Sequence, residues 1–225
     1  MTGLNCRLRE LYAQRIDEIK RIASEYDGVS KPLLMAVPEG YEQSTVRLMV
    51  VGQQTHGWGQ GNCWDVDELM SEYGRFGMGE RYGKPFLRTS QDLYRRLNPD
   101  GAHLAFLWSN LNKVDQKKKR PEKSVEERIA ELQLLRKEIQ ILEPKAVVFF
   151  TGPNYDGLLR SIFQDVQLRR LSSEVDERKL SRLEHDSLPT CSYRTYHPHY
   201  LWRCRRRECF VEAIVRDING RATSQ

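Results

Sequence analysis

The chain has 225 residues, 39% hydrophobic and 30% charged, which suits one packed core under a solvated surface. No apolar run approaches the ~20 residues of a membrane-spanning helix, and the opening MTGLNCRLRE has no apolar signal region, so a cytoplasmic protein is expected. Lysine and arginine outnumber aspartate and glutamate by 36 to 31, a mild excess whose meaning lies in where it clusters.

Leu8, Leu11, Tyr12, Ile16, Ile19, Ile22 and Tyr26 recur at helical spacing and predict one amphipathic helix over 4–26, packed on the core and ended by Gly28 and Pro32. Val46 to Val51 is an apolar run of strand length that stops at Gly52. The loop GQQTHGWGQGN follows. Its glycines at 57, 59 and 61 keep the backbone accessible, but it lacks both the Gly-Lys-Ser/Thr of a phosphate loop and the GxGxxG of a dinucleotide site. Residues 64–73 and 87–97 predict short helices. His103 to Ser109 predicts a second buried strand, running into Asn110 and a polar loop with Lys117-Lys118-Lys119-Arg120.

Ser124 and Glu127 have capping-box spacing at the start of a long helix. Its apolar stripe is Val125, Ile129, Leu132, Leu135, Ile139 and Leu142, and Pro144 ends it. Lys145 to Thr151 predicts a third strand, and Gly152-Pro153 turns into another helix. Residues 165–189 are charged and aperiodic, a loop or a small hairpin. Residues 191–196 predict a fourth strand ending at His197-Pro198, before a last helix over about 204–217.

Apolar strands alternating with helices predict a parallel sheet covered on both faces. With no linker or repeat, the expectation is one α/β domain over 1–225, a three-layer α/β/α sandwich around a four-stranded parallel sheet. Ligands of such sheets bind beyond the carboxyl ends of the strands, which draws attention to GQQTHGWG, NLNKVD, TGPN and HPHYLW. Cys6, Cys63, Cys191, Cys204 and Cys209 are odd in number, scattered and without a CxxC pair, so reduced thiols are expected.

Asn110, just past a strand, offers a donor and an acceptor together; it suits the edge of a base or a strand-end turn equally. His197 fits a buried structural histidine or a ligand contact. His197 and His199 have no matching carboxylate or cysteine spacing, so no metal is expected. The segment TYHPHYLWRCRRR places bulky apolar side chains beside Arg203, Arg205, Arg206 and Arg207. Arginines beside aromatics suit a surface that grips phosphates while pushing side chains among bases.

In this ordered set the chain resembles the uracil-DNA glycosylase superfamily over roughly residues 46–203. Gly52-Gln53 matches the start of the Gly-Gln-Asp-Pro-Tyr-His motif, and His56-Gly57-Trp58-Gly59-Gln60 its continuation. Trp108-Ser109-Asn110 matches the Leu-Leu-Asn element, and His197-Pro198-His199-Tyr200-Leu201 the His-Pro-x-x-Leu loop. The resemblance implies an enzyme that flips uracil or a related damaged base from single- or double-stranded DNA and hydrolyses its glycosidic bond as a monomer without a cofactor. It implies that Gly52 and Gln53 shape the pocket beside His56, Asn110 pairs with the base edge, and His197 stabilises the leaving base. Trp64 would stack on the base, with Trp58 in reserve. Leu201, helped by Tyr200 and Trp202, would wedge into the duplex while the arginines hold phosphates. Gln54 stands where the family has its water-activating aspartate, and would hold the water by position alone. Thr55 and His56 fall near the tyrosine that excludes thymine. Two other readings follow from these departures: a weakly active or inactive nucleic-acid-binding protein on the same fold, and an α/β enzyme acting on a free nucleotide.

Overall fold

The computed structural model describes residues 3–59, 63–76, 84–101, 104–172 and 175–222, so Gln60, Gly61 and His103 lie outside the described residues. Within them the centre is a six-stranded sheet: β1 (Leu48–Gly52), β2 (Leu107–Asn110), β3 (Ala146–Phe149), β4 (Gln167–Arg170), β5 (Leu180–Glu184) and β6 (Cys191–Thr195), in the order β2-β1-β3-β6-β5-β4. The strands β2, β1, β3 and β6 run parallel. They are the four that the apolar runs predict, and β1, β3 and β6 are buried at every position.

The sheet is not four-stranded, however. Residues 165–189 supply β4 and β5, an antiparallel hairpin laid against β6. Leu180 and Leu183 anchor it in the core, while Arg169 and Arg170 hold β4 open to solvent as a charged edge. A strand carrying that much charge reads as loop from periodicity alone.

Nine helices surround the sheet among the described residues: α1 (Gly3–Ala13), α2 (Ile16–Glu25), α3 (Val66–Arg75), α4 (Pro85–Leu97), α5 (Lys123–Glu131), α6 (Leu134–Leu142), α7 (Asp156–Ile162), α8 (Pro198–Arg203) and α9 (Arg207–Ala222). Their main contacts fall into two groups. One joins α1 with α2, α3 and α6, and α5 with α2 and α7; the other joins α4, α8 and α9. This arrangement is compatible with a three-layer α/β/α fold.

Four helical expectations need correction. The segment 4–26 is two helices, broken at Arg15, whose φ of −121° leaves the helical region. Next to the break, the Tyr12 hydroxyl donates to Glu138 Oε1 at 2.8 Å and accepts from Met35 N at 3.1 Å, a tertiary anchor that the sequence does not display. The stripe from Val125 to Leu142 is likewise split. Gln133 is left-handed at φ 55° and its side chain donates to Ala130 O, although all six stripe residues are buried as expected. There is no capping box at Ser124: the helix begins one residue earlier, behind Glu122, whose carboxylate accepts from Ser124 Oγ at 2.6 Å. The last helix extends over 207–222 rather than 204–217, and His-Pro opens the short helix α8 before it.

The chain passes from β1 to β2 on one side, then crosses back over β1 to β3 on the other. Ligand crevices of α/β sheets open at the carboxyl ends of the strands beside such a reversal, and Gly52, Asn110 and His197 lie at or just past those of β1, β2 and β6. Lys113 and Glu138 form a fully buried ion pair that Ser109 and Tyr12 complete by hydrogen bonds. Burial holds the Lys113 ammonium below the usual lysine range despite its partner.

Candidate functional site

Gly52 and Asn110 end adjacent strands and are register partners. A Cβ added at Gly52 would collide with Asn110 Oδ1 and stand 3.3 Å from the Phe86 ring. Only glycine lets the amide and the ring close over the strand end. The ladder runs on beyond the strands, with Leu111 N donating to Gly52 O at 3.0 Å and Asn112 N to Gln53 O at 2.9 Å. The first loop is thereby fastened directly above Asn110.

A cavity of about 690 Å³ opens here and brings together Gln53, Gln54, His56, Asn110, His197 and His199. Its apolar walls are Trp58, Phe76, Phe86 and Trp108. Trp58 meets Phe76 and Trp108 edge-on, with centroids 5.2 and 5.7 Å apart. Volume and lining suit a planar ring held by a few polar groups. A larger cavity of about 890 Å³ lies along α9 and takes in Arg206, but the other expected site residues do not converge there.

Asn110 is 2% exposed, and its Oδ1 accepts from Trp108 Nε1 at 3.3 Å. Its Nδ2 is buried with no partner, and so is Trp58 Nε1. Two orphaned donors beside one cavity are costly unless a ligand satisfies them. His197 caps α8, its Nδ1 accepting from His199 N at 3.3 Å, which leaves the ring proton on Nε2. Burial, aided by the nearby His199, lowers its pKa from 6.5 to about 4, so the ring is a neutral donor at physiological pH. Phe86 stacks on it at 5.6 Å.

The two glutamines are held from behind. Gln53 Nε2 donates to Thr151 O at 2.8 Å, bridging β1 to β3, and Gln54 Oε1 accepts from the Tyr155 hydroxyl at 2.6 Å. Burial pushes the Tyr155 pKa up to about 12, which keeps that hydroxyl a donor. His56 is exposed at the rim, its Nδ1 donating to Lys118 O at 2.8 Å. Among the described residues no aspartate or glutamate lines the cavity, and no three histidine, cysteine or acidic side chains gather in a metal-binding group. Asp65 caps α3 and Asp67 pairs with Arg9, both away from the cavity.

Other expected contacts lie elsewhere. Trp64 packs partly buried outside the cavity lining; Trp58 and Phe86 stand there instead. Leu201 is 1% exposed, packed into the core by α8, and cannot wedge into a duplex from that position. Tyr200 and Trp202 are the exposed large apolar residues, at 40% and 36%. Trp202 is pinned: its Nε1 donates to Thr89 Oγ1 at 3.1 Å, and Arg88 and Arg207 lie 5.0 and 5.1 Å from its ring. Arg207 pairs with Asp92 at 2.6 Å and with Glu208, so its charge is spent internally. Arg203 lies over the Tyr200 ring. It is exposed like Arg205 and Arg206, and none of the three has an ion pair among the described residues. All five cysteines are free thiols.

Sequence reasoning missed Phe86 and Tyr155. Pro85 marks the start of α4 and could have shown where Phe86 enters; nothing local reports that Tyr155 reaches Gln54. A scan of the sequence against protein-family models returns no match, and a search of curated proteins returns none either.

Proposed function

We propose that this is a DNA glycosylase-like protein on a uracil-DNA glycosylase-type fold, which takes a base extruded from DNA into the cavity between Gly52, Asn110 and His197. The observation that supports this reading is the buried, unpartnered Nδ2 of Asn110, a residue that lines the same aromatic-walled cavity as a neutral His197. Carbonyl oxygens of a planar base would satisfy both donors. As the glycosidic bond lengthens, electrons move onto the departing base, and a preorganised Nε2–H and amide stabilise that charge without first breaking bonds to water. Losing one such donor typically costs ~2.7–4 kcal/mol of barrier. Extrusion costs a few kcal/mol, least for a mispaired base, and exposed Arg203, Arg205 and Tyr200 are suited to hold the flanking strand.

Gln54 is rigidly held but has no proton-accepting role, and no carboxylate lines the cavity among the described residues. Hydrolysis would therefore depend on leaving-group stabilisation alone and would be slow. The same absence favours the second reading, a protein that binds an extruded base without cleaving it. Oligonucleotides carrying uracil, single- and double-stranded, separate the two when probed for alkali-labile abasic sites. Cleavage that falls by about 10²–10³ in Asn110→Ala and His197→Ala supports hydrolysis. Salt-sensitive binding without cleavage supports the second reading, and absence of binding overturns both.

A further inference from the structure

We propose that the turn Lys117-Lys118-Lys119 is a second phosphate-contact site, holding a DNA strand on the first-loop side of the cavity while Arg203 and Arg205 hold it on the His197 side. The inference rests on the DNA-binding reading above and adds a surface to it. Its first support is attachment. Asp115, 1% exposed, accepts from Thr55 Oγ1 and Gly57 N at 2.7 Å through one oxygen and from Lys118 N at 2.8 Å through the other. His56 closes the link by donating to Lys118 O. The lysine turn and the loop that lines the cavity are thus one rigid unit, and any strand delivering a base past His56 runs over it.

The second support is conformation. Lys117 and Lys118 are both left-handed, at φ 52° and 61°. Consecutive left-handed residues favour glycine or asparagine, and side chains there are strained. The chain places two lysines in that geometry and lays the Lys118 stem against Gly57, itself at φ 74°. Strain kept where a relaxed residue would fit is a mark of functional positions. The third is charge. Lys117 pairs with Asp27 at 2.8 Å, whereas Lys118 and Lys119 are exposed and have no ion pair among the described residues.

The test is fluorescence anisotropy of the full chain with labelled duplex and single-stranded oligonucleotides between 50 and 200 mM salt. For duplex DNA each neutralised phosphate adds about 0.9 to the slope of log affinity against log salt, and about 0.7 for a single strand. The Lys118→Ala/Lys119→Ala double variant should lose one to two such increments, and affinity by roughly eightfold per lost contact at 0.1 M salt. Lys118→Gly should lose affinity while its melting temperature holds or rises, because glycine relieves the backbone; a merely structural lysine would do the reverse. Wild-type binding with an unchanged slope and affinity within twofold in the double variant overturns the inference alone. Absence of wild-type binding to either oligonucleotide overturns the DNA reading and this surface with it.

Discussion

His197 carries a testable pH dependence. Its folded pKa, about 4, lies below the ordinary 6.5, so the unfolded chain takes up a proton in that window that the folded chain refuses. Stability should therefore fall as pH drops from 6.5 to 4, by up to about 3 kcal/mol from this group. Chemical denaturation of His197→Gln across the window should show a shallower loss than wild type; parallel curves would contradict a half-buried, neutral imidazole. Gly52 is the second sensitive position. Gly52→Ala forces Asn110 or Phe86 aside, so it should cost about 1–3 kcal/mol by overpacking and abolish base-dependent binding. Gln53, Gln54, Asn110 and His197 were legible in the sequence because strand ends fix where their side chains begin. The Phe86 wall was not, since Phe86 enters from a helix start whose place is set by packing around His197 and Phe150.

At the scale of elements, the parallel strands were legible because burial on both faces leaves continuous apolar runs such as Val147-Val148-Phe149. Both helix breaks were hidden, because the sequence remains amphipathic across Arg15 and Gln133. The His-Pro segment misled most. Leu201 has the place of an exposed wedge in the motif but faces the core once 198–203 coils into α8. Leu201→Ala should accordingly lower stability by about 2–5 kcal/mol in thermal or urea unfolding. A wedge would leave stability unchanged and lose only DNA affinity.

At the scale of the whole molecule, a buried polar hub of Tyr12, Glu138, Ser109 and Lys113 ties α1 and α6 to β2 and the loop after it. Lys113→Met should destabilise by about 3–5 kcal/mol, because Glu138 loses its partner in a dry interior, and Lys113→Met/Glu138→Leu should recover part of that loss in urea unfolding. The central claim is that Asn110, His197 and the aromatic walls enclose one planar base drawn from DNA. The most direct measurement is the fluorescence of 2-aminopurine placed beside uracil in a duplex, which brightens when its neighbour leaves the stack. The account predicts a saturable rise on adding the protein, lost in Asn110→Ala while salt-sensitive binding persists. Binding of the duplex with no rise, or the same rise in Asn110→Ala, would contradict it.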